Sequence, residues 1–226
     1  VDPSDAEPVI EALDRLGCTL THIINTHHHN DHTGGNLELK EKYGCEIVGP
    51  LADHDRIAGI DLDVADGDTY TFGDAVAKVY DTPGHTRGHI AYWFEESKAL
   101  FCGDTLFALG CGRVFEGTFE QMWNSLGKLR ALPDDTMVYC AHEYTQANAN
   151  FAVTIETGNQ ALMERAAEID ALRSDNKRTV PSLLGLEKET NPFLRVDVAS
   201  VAEAVGLPNG SPVEVFSEIR TRKDNF

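Results

Sequence analysis

The sequence predicts an α/β protein with two regions, strand-rich over residues 1–143 and helical over 144–226. Short strand-like runs separated by turn residues fill the first region, and amphipathic helical spacing takes over after Tyr144. A third observation orients the whole. Potential metal-ligand side chains gather just beyond predicted strand ends, where the loops of a packed sheet scaffold converge.

Residues 6–16 place Val9, Ile10, Leu13 and Leu16 at helical spacing, and Gly17 stops the run. A strand comes next over 20–25. A histidine cluster begins where it ends, and Gly34-Gly35 is expected to turn the backbone tightly into a helix near 36–43. A strand at 46–49 continues the alternation. After the turn Asp66-Gly67-Asp68, Thr69 to Phe72 and Val76 to Tyr80 read as antiparallel strands, with two more at 90–94 and 99–102 about the polar turn Glu95-Glu96-Ser97. Thr118 with Gln121 is a capping-box pattern opening a helix that ends near Leu132. Pro133 breaks it, and Met137 to Cys140 form the next strand. Beyond Tyr144, helices are expected over 146–157 and 160–173, the latter with an apolar stripe of Leu162, Ala166, Ile169 and Leu172. A short helix covers 197–205. Ser211, Pro212 and Glu214 occupy the N-cap, first and third positions of a last helix that turns Val215, Phe216 and Ile219 inward.

Composition narrows the function classes. At 226 residues and 42% apolar content the chain can bury a sizeable core. No stretch approaches 18 consecutive apolar residues, so no membrane partner is expected. The formal charge of −18 repels polyanions and argues against a nucleic-acid partner. Cys18, Cys45, Cys102, Cys111 and Cys140 form no Cys-x-x-Cys pair and read as small residues of a reducing cytosol, giving a cytoplasmic expectation. Val1-Asp2-Pro3 is acidic and polar, unlike a secretory signal. It reads as the end of a strand entering a turn, so preceding N-terminal strands are expected outside this numbering.

The chemistry concentrates in Thr26-His27-His28-His29-Asn30-Asp31-His32-Thr33-Gly34-Gly35, followed by His85, Asp104 and His142. Imidazole plus carboxylate ligation suits zinc and similar cations. Crowding of these side chains beside Gly-Gly serves no core-packing purpose. His27, His29 and His85 are assigned to a first metal, Asp31, His32 and His142 to a second, and Asp104, preceded by Gly103, to both. With alternating side-chain direction His28 faces away from the metals; His89 supports the site from behind or is structural, and His22 and His54 are surface residues. Seven donors with one shared carboxylate suit an open catalytic pair better than a closed structural zinc site.

This arrangement resembles the metallo-β-lactamase superfamily, with its His-x-His-x-Asp-His signature followed by separated His, Asp and His. The resemblance implies an αββα sandwich, here with a C-terminal helical domain. Within that superfamily the chain is similar, over essentially its whole length, to the hydroxyacylglutathione hydrolases (glyoxalase II). The segments that carry this are the histidine cluster, Gly103-Asp104-Thr105-Leu106-Phe107, Gly110-Cys111-Gly112-Arg113, Phe115-Glu116-Gly117-Thr118, His142-Glu143-Tyr144-Thr145, Asn191-Pro192-Phe193-Leu194-Arg195 and Arg220 to Phe226. The resemblance implies the same seven ligands, with Asp31 and Asp104 as the catalytic carboxylates. It further implies two divalent metals, zinc or a mixture of zinc with iron or manganese, and glutathione contacts from Arg113, Phe115, Tyr144, Arg220 and Lys223. Arg113 and Phe115 stand where the family commonly has lysine and tyrosine; the cation changes geometry and a hydroxyl is lost.

The implied reaction is hydrolysis of S-(2-hydroxyacyl)glutathione, chiefly S-D-lactoylglutathione, to glutathione and D-lactate, by a hydroxide bridging the two metals. A persulfide dioxygenase or a lactonase is the alternative on the same scaffold. Arg220 and Lys223, three apart on the last helix, are expected to share a face and, with Arg113, to offer salt-screened positive potential to a glutathione thioester. A monomer is expected.

Overall fold

The computed structural model describes residues 1–226. The first half runs α1 (Ala6–Leu16), β1 (His22–Ile24), α2 (Asn30–Thr33), α3 (Asn36–Tyr43), β2 (Glu46–Pro50), β3 (Leu62–Val64), β4 (Thr69–Phe72), β5 (Ala75–Asp81), β6 (Ile90–Phe94), β7 (Ala99–Gly103), β8 (Leu106–Phe107) and β9 (Gly110–Cys111). Then come α4 (Phe119–Arg130), β10 (Met137–Cys140), α5 (Thr145–Ile155), α6 (Gln160–Ser174), β11 (Ser182–Leu183), α7 (Leu184–Thr190), α8 (Ala199–Ala204) and α9 (Pro212–Asp224).

Two sheets face one another. One is the parallel trio β1-β2-β3; the other has the order β11-β10-β7-β6-β5-β4, with β10 parallel to β7 and the other neighbouring pairs antiparallel. The period-two alternation of strand side chains builds the layers. Ile23 and Ile47 point outward to a cluster with Ala6 of α1 and Leu39 of α3. Their neighbours Ile24 and Val48 point inward, against Tyr70, Val79, Ile90 and Tyr92 of the larger sheet. From the opposite face of that sheet Ala91, Trp93, Leu100 and Cys102 join Met122, Leu126 and Leu129 of α4 and Val215, Phe216 and Ile219 of α9. The result is helix, sheet, sheet, helix: the αββα sandwich, with the C-terminal helices extending its outer layer.

Both expected capping boxes form, at Thr118 with Gln121 and at Ser211 with Glu214. Leu16 departs from expectation: it is exposed, so the buried side of α1 rests on Ala6, Val9 and Ile10. Gly34 and Gly35 depart in their reason. Both are right-handed, with φ −58° and −82°. A Cβ would sit 2.5 Å from the Ser4 carbonyl oxygen at Gly34 and 2.8 Å from the Asp5 carbonyl carbon at Gly35. They are needed for close backbone approach, not for a left-handed turn.

Candidate metal centre and adjoining cleft

The segment that follows β1 delivers His27 and His29, and the short α2 carries Asp31 and His32. His85 lies in the β5–β6 connection, Asp104 directly after β7, and His142 directly beyond β10. All come from one edge of the sandwich. The donor atoms of His27, His29 and His85 lie within 4.8 Å of one another, and so do those of Asp31, His32 and His142. Asp104 stands between the two groups. Its Oδ2 is 3.4 Å from His85 Nε2, while Oδ1 is 3.4 Å from both His32 Nε2 and His142 Nε2.

Outer partners fix which nitrogen of each ring is free. Thr26 Oγ1 donates to Asp2 Oδ2 at 2.7 Å, so toward His27 Nδ1, 3.0 Å away, it accepts. His32 Nδ1 donates to the same Asp2 carboxylate at 3.1 Å, and His85 Nδ1 donates to the Arg113 carbonyl at 2.8 Å. Each of these rings therefore keeps its Nε2 lone pair for the centre, the usual role of partners behind metal-ligating histidines. His89 works on Asp104 itself. Its Nε2 accepts from the Asp104 backbone N–H at 3.0 Å, so its Nδ1–H faces Thr82 Oγ1 at 2.8 Å and Thr105 Oγ1 at 3.2 Å. Burial, then the neighbouring His85, lowers its pKa to about 3, which keeps that acceptor available. Gly103 permits the arrangement: at φ +47° any Cβ would lie 2.3 Å from Thr26 Oγ1 and 2.7 Å from His89 Nε2.

Two buried atoms of the set, His32 Nε2 and Asp104 Oδ1, have no hydrogen-bond partner. An orphaned lone pair and an orphaned carboxylate oxygen that face each other are costly without a cation. The residues present thus fit a pair of divalent ions, His27, His29 and His85 holding one, Asp31, His32 and His142 the other, and Asp104 placed to serve both. His28 turns away, its Nδ1 3.1 Å from Asp53 and its Nε2 3.3 Å from Arg56. His54 pairs with Asp63, and His22 lies among Thr21, Tyr70 and Phe72.

The two groups differ electrostatically. Burial lowers the pKa of His27, His29 and His85. Burial also opposes protonation of His32, but Asp2, Asp104 and Asp31 outweigh it and raise its pKa; the Asp104 carboxylate 3.4 Å away raises that of His142. A protonated imidazole cannot ligate, so as pH falls a histidine of raised pKa is the first to stop ligating. Acidification from pH 8 is therefore expected to release the ion of the Asp31–His32–His142 group first. Elemental analysis of dialysed protein across pH 8 to 5 should show a plateau near one metal per chain; simultaneous loss of both would contradict this.

Asp104 and its neighbours form the floor of a cleft of about 640 Å³ that also contains Arg113, Phe115, Tyr144, Arg220 and Lys223. Phe115 is 61% exposed, its ring centroid 5.2 Å from that of His85. Tyr144 stacks on His142 at 4.9 Å. Lys223 Nζ donates to the Ala147 carbonyl at 3.0 Å and lies 5.3 Å from the ring centres of Phe151 and Phe226. Burial, then the Arg220 and Arg113 charges, lowers its pKa. Arg220 is not the exposed cation expected of it. It is 3% exposed, donating to the Cys111 carbonyl at 2.9 Å and to Asp224 at 3.0 Å.

Two further residues, Asp2 and Asp224, serve the site although the sequence reading assigns neither a role there. Asp224 lies four residues after Arg220, a spacing that signals a helical ion pair. Asp2 carries no comparable signal, because its partners lie 24 and 30 residues away.

Comparison with known proteins agrees with this geometry. Residues 1–142 match the metallo-beta-lactamase superfamily, and residues 143–226 match the family described as hydroxyacylglutathione hydrolase C-terminus. The hydroxyacylglutathione hydrolases of Methylococcus capsulatus and Rhodospirillum rubrum are 60% and 59% identical, over 100% of this chain and 88% of each relative. Among solved structures, ETHE1 from Myxococcus xanthus is 28% identical with TM-score 0.57, over 90% of this chain and 85% of that one. The BLEG-1 B3 metallo-beta-lactamase, 23% identical with TM-score 0.64 over 85% of this chain and 86% of that one, shares the fold. With 60% identity along its full length and both regions matched, the chain belongs to the hydroxyacylglutathione hydrolase family of the metallo-β-lactamase superfamily.

Proposed function

We propose that this enzyme hydrolyses S-(2-hydroxyacyl)glutathione, chiefly S-D-lactoylglutathione, to glutathione and a 2-hydroxycarboxylate. The observation that carries this reading is Asp104, which turns one oxygen toward each of two donor groups at the floor of a cleft with cationic walls. Two divalent cations, when bound, supply Lewis acidity that activates water and neutralises charge developing on the thioester carbonyl oxygen. Histidine and carboxylate donors suit zinc, iron and manganese; we take zinc to fill at least one site, and iron or manganese to be compatible with the other.

The chain's own groups do the rest. Water adds to the thioester carbonyl, the C–S bond breaks, and glutathione leaves as a thiolate. With a thiol pKa of about 8.5 that leaving group requires no strong acid. Asp31 and Asp104 are the carboxylates placed to hold and orient the water, and the proton it sheds ends on the departing thiolate or in solvent. Burial, then Asp104 and Asp31, raises the pKa of Tyr144, so its phenol remains a hydrogen-bond donor toward the peptide portion of the substrate. Phe115 offers an apolar plate at the mouth, while Arg113 and Lys223 supply charge for glutathione carboxylates. We take a monomer as the working unit, since one chain supplies all seven donors. No helix is long and apolar enough to cross a membrane. The five unpaired cysteines support a cytoplasmic site of action.

The test is thiol release from S-D-lactoylglutathione by metal-loaded protein, with and without prior chelation. Release that chelation abolishes is expected. Oxygen uptake with glutathione persulfide and an intact thioester would instead assign a dioxygenase.

A further inference from the structure

The Asn191-Pro192-Phe193-Leu194-Arg195 motif lies outside the cleft, and the proposed reaction leaves it without a task. Its first residue reaches the tip of the β8–β9 hairpin. Asn191 Nδ2 donates to the Phe107 carbonyl at 3.1 Å and to the Gly110 carbonyl at 3.0 Å. Asn148 Nδ2, from α5, donates to the Ala108 carbonyl at 3.1 Å. Glu187 Oε2, from α7, accepts the Leu109 backbone N–H at 2.8 Å. Every residue of the 107–110 turn is thus held by a side chain of the helical region. Those side chains are themselves fixed: Glu187 is paired with Arg165, whose other arm donates to Thr190 Oγ1 at 2.7 Å. Glu187 and Asn191 are fully buried and Asn148 nearly so.

Such an investment is needed because the hairpin cannot hold itself. Its strands have two residues each, and Leu109 is a non-glycine residue at φ 56°. Beyond the turn the chain forms the cleft wall. The Cys111 carbonyl anchors Arg220, and Arg113 and Phe115 come next in the chain. Asp104 is secured separately, through its N–H to His89.

We propose that Asn148, Glu187 and Asn191 are positioning residues for glutathione recognition: by clamping the 107–110 turn they fix the cleft wall from Cys111 to Phe115. This rests on the glutathione-thioester reading above. Asp104 keeps its own support in His89, and the wall stays tied to the metal floor where the Arg113 carbonyl accepts from His85 Nδ1; loosening the turn therefore acts first on binding of the peptide part.

The variant Asn191→Ser tests it. Serine keeps an N-cap oxygen for the Phe193 N–H, now 3.0 Å from Asn191 Oδ1, but cannot supply the amide donor to the turn. Asn191→Ala is the second variant: it loses the cap oxygen as well as the amide donor, so an effect common to both variants belongs to the donor. For each, KM for S-D-lactoylglutathione is expected to rise about tenfold, from the buried carbonyls left unpaired. Its kcat, and kcat/KM for a small thioester lacking the peptide, should stay within about twofold of wild type, as for any loss confined to substrate binding. Hydrogen exchange of the Leu109 amide should accelerate in Asn191→Ser while the strands β6 and β7 remain protected. Equal losses on both substrates, or an unchanged KM, would overturn the assignment. If the wild type leaves the thioester intact, the functional reading fails instead; the clamp is then judged on the Leu109 amide alone, and unchanged exchange overturns it.

Discussion

Replacing Asp104 with asparagine is expected to lower kcat/KM for the glutathione thioester by about a thousandfold, or ~4 kcal/mol of transition-state stabilisation. The substitution keeps size and shape but removes the negative charge. It also turns one carboxylate oxygen into an N–H₂ donor. Whichever way the amide is set, that donor faces either His85 or the pair His32 and His142, whose nitrogens stand 3.4 Å from the carboxylate oxygens. A like-signed partial charge then replaces the group that would draw a cation in. Metal content should fall below two per chain with secondary structure intact, because Asp104 makes no core contact that asparagine loses. Two metals retained with activity within about tenfold of wild type would show that Asp104 does not serve both groups.

The second large effect separates Arg220 from Lys223. Arg220→Ala is expected to destabilise the protein by about 1–3 kcal/mol, the usual cost of leaving a buried polar group unsatisfied. It leaves Asp224 and the buried Cys111 carbonyl without their donor. Activity on glutathione and non-glutathione thioesters should fall together, with little dependence on salt, since the loss comes from a buried anchor on the Cys111 carbonyl and not from an exposed charge. Lys223→Ala should behave differently: KM for the glutathione thioester rises about fivefold to tenfold at low ionic strength, and the difference shrinks as salt rises. Urea unfolding of both variants, with kinetics on both substrates at two ionic strengths, checks the pair. A stable Arg220→Ala protein whose only defect is a salt-sensitive KM would return Arg220 to the exposed role its sequence position suggested.

The burial of Arg220 shows where sequence stops being informative. The ligand cluster is legible because it is local: six residues after one strand carry four donors, and no packing demand explains them. The capping boxes are legible for the same reason, since cap and third position are three residues apart. Arg220 looks solvated because arginine on a terminal helix usually is. Its burial is decided by a carbonyl 109 residues earlier, which no periodicity reports. Asp2 is hidden in the same way, its role depending on β1 bringing Thr26 to it. Strands β8, β9 and β11, two residues each, are too short to show a period, and β3, with three, is little better. The turn between β8 and β9 is nevertheless where the helical region grips the cleft.

The change of secondary structure near residue 143 is not a mechanical joint. Leu100 and Val138 of the larger sheet, Leu126 of α4, Phe151 of α5 and Phe216 of α9 all belong to one buried cluster. Swinging the helices away from the sheets would expose that cluster to water, and packed apolar interfaces of this kind suppress the hinge motion otherwise expected between regions. A hinge between the strand-rich and helical regions is therefore not what opens or closes the cleft. Any gating of substrate entry or product release would have to come from the cleft's own rim, where Phe115 and Phe226 are exposed, and not from rigid-body motion of the helices.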